Sequence, residues 1–291
     1  MQSDPLSIAF PGAGGLAIQG ELHGPADGFP VILSHGGGQT RHAWGRTAER
    51  LAEAGFRIHA LDLRGHGDSG WAQDGLYAIE DYAEDLRLLA ATFDAPPVLV
   101  GASLGGIASL LAAGEEPCLP IAGLCLVDVS PHLRPEGVEG ILGFMRRTAS
   151  GFDTMEQAAN AIGAYLPHRP KPRDLDGIAK NLRSRADGRF YWHWDPATIA
   201  RPLDPESTSR RLERAAGRIT APALLVRGAR SELVTAEVAA AFMALFRDGH
   251  TVDVAGARHM VAGDRNDRFG SDLLAFAERV RDRREDDHAG Q

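Results

Sequence analysis

From residue 31 to residue 255, short aliphatic and β-branched runs recur, and most are separated by segments with apolar residues at helical spacing. The runs are "VILS" (31–34), "RIHAL" (57–61), "VLV" (98–100), "GLCLVDV" (123–129), "ALLVR" (223–227) and "TVDVA" (251–255). The helical patterns cover roughly 42–54, 79–93, 104–114, 235–246 and 270–283. A helix between two strands carries the chain back to the starting edge, so the two strands pair in parallel. The runs are apolar at successive positions, as strands are when helices cover both faces. The pattern predicts an α/β fold with a mostly parallel, doubly wound sheet. Two earlier segments, "LSIAF" (6–10) and "LAIQGELHG" (16–24), read as half-buried strands that pair with each other. The "GAGGLA" between them (12–17) loosely fits a dinucleotide loop. Such a loop must open a helix, and here a strand pattern follows, so it reads as a hairpin turn and implies no nucleotide cofactor.

The alternation breaks once. Between Pro131 and about Arg218 there is no convincing strand, but "MEQAANAIGAYL" (155–166) and "GIAKNLRSR" (177–185) look helical and prolines are frequent. This interval reads as a helical cap inserted into one core, giving core segments 1–130 and 219–291 around a cap at 131–218. The aromatic-rich "FYWHWDP" (190–196) lies within it. Trp192 and Trp194 are the expected substrate contacts, with Tyr191 beside them; the competing reading packs all three into the cap's own core.

Composition excludes several classes. With 39 acidic and 31 basic residues the formal net charge is −8, which disfavours nucleic acid and anionic membrane surfaces as partners. No apolar run is long enough to span a bilayer. The start, "MQSDPLSIAF", lacks a basic segment followed by an apolar one, so a cytoplasmic protein acting on a small molecule is expected. Cys118 and Cys125 read as buried thiols. No H-E-x-x-H, C-x-x-C or phosphate-loop motif is present, so the sequence implies no metal and no cofactor. No motif speaks to oligomeric state.

Ligands of an open parallel sheet bind beyond the carboxyl ends of the strands. At that edge stand "SHGGGQT" (34–40), "DLRGHGDSG" (62–70), "GASLGG" (101–106), Asp128 and Ser130, "GARSELV" (228–234) and "GARHM" (256–260). Gly101-Ala102-Ser103-Leu104-Gly105 fits G-x-S-x-G, a sharp strand-to-helix turn that exposes a nucleophilic serine. The bland alternative is a helix-capping serine in a glycine-rich turn.

Taken in order and spacing, these motifs resemble the α/β-hydrolase fold superfamily, serine-nucleophile branch, along nearly the whole chain. The resemblance implies Ser103 as nucleophile and His259 as base. It implies an oxyanion hole formed by the Leu104 N–H and the Gly37 N–H. Its usual acid position, three residues past Gly228, holds Ser231, with Glu232 one residue late. A smaller branch carries the acid after the preceding strand, in a context like "LVDVSP", and also has Gly-x-x-Ser where this chain has Gly228 to Ser231. Both features favour Asp128 over Glu232. His35 is expected to brace the oxyanion loop, and "RGHGDSG" to be a packed structural turn. The implied activity is hydrolysis of a small or medium carboxylic ester. A lactonase, amidase, carbon–carbon bond hydrolase or perhydrolase would use the same triad, and a ligand receptor would use the same fold.

Overall fold

The computed structural model describes residues 5–165, 175–201, 204–257 and 267–289. Eight strands form one sheet: β1 (Leu6–Pro11), β2 (Ala17–His23), β3 (Phe29–Ser34), β4 (Phe56–Leu61), β5 (Val98–Ala102), β6 (Gly123–Val127), β9 (Ala223–Gly228) and β10 (Gly249–Val254). Their spatial order is β1-β2-β4-β3-β5-β6-β9-β10. β1 and β2 form the expected antiparallel hairpin, β2 pairs antiparallel with β4, and all other pairs are parallel.

The period of two along each strand divides the core. Ile32, Leu99, Leu124, Leu126 and Leu225 face α2 (Ile79–Ala90), α3 (Leu104–Gly114), α7 (Pro205–Ala216) and α8 (Ala236–Met243). Their neighbours Val31, Leu33, Val98, Val100, Cys125, Val127 and Val226 face α1 (Gly45–Glu53) and α9 (Asp267–Ala289). Each such buried side chain contributes about 1.5–3 kcal/mol, which is why β3, β5 and β6 carry no charged residue. Cys125 lies in this core, whereas Cys118 is exposed, contrary to its expected burial; both are free thiols. Among the described residues no helix is long and apolar enough to cross a membrane.

Between β6 and β9 lie α4 (Pro135–Thr148), α5 (Met155–Tyr165), α6 (Asp176–Ala179), β7 (Leu182–Ser184), β8 (Phe190–Trp192) and α7. Met145, Phe152, Ala158, Ile178, Leu182, Trp192 and Trp194 bury one another in a third apolar cluster. Two readings of this interval are corrected. It does contain strands: β7 and β8 pair as a small antiparallel ribbon. The helix expected over 177–185 stops at Ala179, because Leu182–Ser184 pairs with Phe190–Trp192 instead. α7, near the end of the interval, packs on α3 so closely that a Cβ at Gly114 would stand 2.7 Å from the Ala215 Cα. It therefore belongs to the helical layer over the sheet rather than to the third apolar cluster.

Candidate active site

β5 and β6 are neighbours, with Ala102 opposite Val127 in register. The next residues are Ser103 and Asp128. Ser103 has φ 46° and Asp128 φ 49°, and among the described residues no other non-glycine lies in the left-handed region. Such conformations cost of order 1–3 kcal/mol each and persist where the surroundings enforce them. At Ser103 the surroundings are glycines. A Cβ on Gly101 would meet the Gly106 Cα at 2.6 Å, and one on Gly106 would meet Val129 Cγ1 at 2.8 Å. Only their absence lets α3 start directly behind the strand. The Ser103 N–H is held by the Val127 carbonyl at 3.2 Å, and the Gly105 N–H by the His35 carbonyl at 3.1 Å. The Leu104 N–H, between them, has no partner among the described residues.

The Gly36-Gly37-Gly38 turn follows β3 and comes up to the serine: a Cβ on Gly36 would lie 3.4 Å from the Ser103 Cβ. Gly38 takes φ +77°, a glycine conformation. The Gly36 N–H donates to Gln39 Oε1 at 2.9 Å and the Gly38 N–H to His66 Nε2 at 3.1 Å. The Gly37 N–H is not engaged by any described residue. It lies near Leu104, whose Cδ2 is 4.0 Å from where a Gly37 Cβ would stand.

Two buried histidines link this turn to the loop after β4. His35 Nε2 accepts from the Leu63 N–H at 3.0 Å, which leaves Nδ1 to donate to the Gly36 carbonyl at 2.8 Å. His66 Nε2 accepts from Gly38, so its Nδ1 donates to the Arg64 carbonyl at 3.0 Å. Both tautomers follow from the backbone donors they face. The rings meet edge to face, 5.2 Å between centroids. Burial, reinforced by the other imidazole, lowers the His66 pKa to about 3; burial also lowers that of His35. Both are neutral at ordinary pH. His35 thus stands in the bracing position expected of it. His66 was passed over within a motif read as structural; its only signal was a ring-bearing residue in a small-residue loop at the ligand edge.

Asp128 is fully buried. Its Oδ2 accepts from Ser231 Oγ at 2.6 Å. Ser231 Oγ in turn accepts from the N–H groups of Leu233 and Val234, at 3.1 and 3.2 Å. The hydroxyl hydrogen is therefore committed to the carboxylate. Glu232, the other candidate acid, is exposed. Its charge acts with burial to raise the Tyr165 pKa on α5. His259 lies outside the described residues. The chain leading toward it runs along the loop after β9, with the Arg230 N–H on the Ala257 carbonyl at 2.9 Å.

The interval between β6 and β9 reaches the site at two places among the described residues. The N-terminus of α4 is stitched to the loop after β9, where the Arg134 N–H donates to the Leu233 carbonyl at 3.1 Å. Its far end brings Met145 over Gly38, with Met145 Cε 3.2 Å and Trp194 Nε1 3.9 Å from a Cβ built there. Trp194 therefore borders the glycine turn. Trp192 sits within the third apolar cluster, its Nε1 donating to Thr148 Oγ1 at 2.9 Å and its ring edge-on to Phe152. Tyr191 and Trp192 are successive residues of β8 and so face opposite sides, rather than lying on the turns of a helix.

Comparison with known proteins identifies the family and the fold. The alpha/beta hydrolase family model matches residues 31–271. The chain is 30% identical to the esterase Rv0045c of Mycobacterium tuberculosis, over 80% of this chain and 78% of that one. It is 28% identical to a 3-hydroxybutyrate-oligomer hydrolase of Cupriavidus necator, over 81% and 84%. The crystal structure of an alpha/beta hydrolase from Novosphingobium aromaticivorans superposes with a TM-score of 0.77 at 26% identity, over 96% of this chain and 99% of that one.

Proposed function

Because the chain belongs to the alpha/beta hydrolase family and is a hydrolase, we propose that it cleaves a small or medium carboxylic ester through an acyl-enzyme on Ser103, without a cofactor. The observation that carries this reading is Ser103 itself. It is held at a left-handed apex, with the Leu104 and Gly37 N–H groups unengaged by described residues while those on either side of each are taken. Two donors so preserved suit an oxyanion, the charge that appears when an alkoxide adds to an ester carbonyl. The dipole of α3 adds to them, since its N-terminus points at the same oxygen.

A serine hydroxyl is a weak nucleophile at neutral pH, and a base must take its proton as it attacks. We assign that role to His259, whose unperturbed pKa suits it and which can return the proton to the leaving alkoxide. Asp128 is assigned as the acid that orients the imidazole and stabilises its cation. Its support is burial at the register position beside Ser103 and a Ser231 hydroxyl committed to one oxygen. Water then enters along the path of the departed alcohol, and the same groups hydrolyse the acyl-enzyme. The names of two relatives, an esterase and an oligomer hydrolase, favour ester over amide as substrate.

The test is a fluorophosphonate probe with p-nitrophenyl esters of graded acyl length. Ser103 should be labelled and turnover should be multiple. Ser103→Ala should leave the fold intact and remove turnover. A variant that keeps more than a few per cent of the parental kcat would place the nucleophile elsewhere, and labelling without turnover on any ester would favour a receptor.

A further inference from the structure

Three consecutive glycines carry no side chain with which to hold their own shape, and an unrestrained glycine turn samples both signs of φ. Something outside the turn must select one peptide orientation. The structure shows two side-chain acceptors, one for each outer N–H: Gln39 Oε1 on Gly36 and His66 Nε2 on Gly38. A backbone bond from the Gln39 N–H to the Gly36 carbonyl, 3.1 Å, closes the turn around them. His66 is itself fixed on every side. Its Nδ1 is spent on the Arg64 carbonyl, its ring lies against His35, and its backbone bridges to Trp194 of the cap. The residues around it are hooked to the same cap strand, by Gly67 N–H to the His193 carbonyl at 2.6 Å and Asp195 N–H to the Gly65 carbonyl at 2.8 Å.

We infer that His66 and Gln39 are positioning residues of the oxyanion hole: by occupying the N–H groups on either side, they aim the Gly37 N–H and keep it available. This rests on the proposed role of the Gly37 N–H as an oxyanion donor. Neither side chain touches the substrate in this account. His66 works as a neutral acceptor, and a side chain that presents an acceptor at the distance of Nε2 can replace it. Glutamine does so and leucine does not.

Three variants test this with two readouts, ester turnover and hydrogen exchange of the amides at 36–38. In the parent, the Gly38 amide should exchange slowly. His66→Leu should speed that exchange and lower kcat by roughly 100-fold with KM within about threefold, since displacement of a catalytic dipole by an ångström costs about that much. His66→Gln should restore both, with kcat within about fivefold of the parent. Gln39→Leu, at a half-buried position, should act on the Gly36 amide and lower kcat by about 10-fold or more; it carries the test if His66→Leu does not fold. Fast Gly38 exchange in the parent would overturn the brace whatever the activity. Unchanged kcat in a variant whose turn exchanges fast would overturn the positioning role. Equal losses in the leucine and glutamine variants of His66 would do the same. Turnover that survives Ser103→Ala, or that is absent in the parent, would instead overturn the proposed acyl-enzyme on Ser103, and the exchange data would still report on the brace.

Discussion

Ser231→Ala removes one oxygen and three hydrogen bonds. The first, to the buried Asp128 carboxylate at 2.6 Å, is charge-assisted, and such bonds contribute about 1.5–3 kcal/mol. The other two leave the N–H groups of Leu233 and Val234 without their acceptor, and both residues are buried, at 1% and 0% exposure. Water filling the space of the lost hydroxyl offsets part of this, so the expected cost is about 2–4 kcal/mol. At about 2–4 °C per kcal/mol for a chain of this size, the melting temperature should fall by about 4–16 °C. The effect on turnover is separable. Without the Ser231 donor the carboxylate is held less firmly, and an orienting partner one bond away from the chemistry is worth about 10–100-fold in activity. Thermal melts and kcat for a p-nitrophenyl ester, measured well below the melting range, report the two effects independently. Ser231→Thr keeps the hydroxyl and should recover both. If Ser231→Ala lowers the melting temperature but leaves kcat within about twofold of the parent, the Ser231–Asp128 bond is purely structural and the orienting role given to Ser231 is refuted.

Three further outcomes are expected. Asp128→Asn should lower kcat by about three orders of magnitude or more by favouring the wrong imidazole tautomer, whereas the exposed Glu232→Gln should change it little; steady-state kinetics of the pair decide between the two acids, and the reverse ranking would assign Glu232. Gly101→Ala forces a methyl group against the Gly106 Cα; it should cost about 1–3 kcal/mol or more and separate α3 from β5, read as a lower urea midpoint together with slower Ser103 labelling. Acid should destabilise the fold before the carboxylates titrate. Burial holds His59 down to about 4 and His66 to about 3, so below pH about 6.5 the unfolded chain binds the protons and the native one does not. Stability is intact above that pH and falls toward the folded values, by about 2 kcal/mol per histidine at pH 5. Urea midpoints at three pH values measure it, and a flat profile between pH 7 and 5 would contradict the buried neutral assignment.

Much of the core was legible because double-sided burial writes itself into sequence. "VILS", "VLV" and "ALLVR" are apolar up to their last residue at most, and β3, β5 and β9 stand there. The elbow was legible for a related reason: close backbone approach tolerates only glycine, and glycine is visible. β7 and β8 were not. Each is three residues long, and neither alternates clearly; they form because Leu182 and Trp192 pack into a cluster supplied by α4 and α5. The allegiance of α7 was hidden too, since its buried Leu212, Ala215 and Ala216 would suit either layer. At the site, the spacing to Asp128 was readable but its backbone strain was not. His66 was discounted because its task is to receive a backbone N–H from a loop 28 residues away, and no residue pattern encodes such a pairing.

The topology between β6 and β9 also bears on how such a protein can change. These strands are neighbours, with Leu126 opposite Leu225, and α7 by itself is the crossover helix that a parallel pair requires. Everything from α4 to β8 is surplus to the winding of the sheet. This excursion can therefore be lengthened, shortened or replaced without changing the strand order or the turn that carries the serine. One strip resists such trade. Residues 193–195 are bonded through their backbone to the loop that carries His66, and they form a socket that an exchanged segment has to fit. A chimaera that spans that strip with foreign sequence should loosen the loop that carries His66; one that keeps it should leave that loop in place.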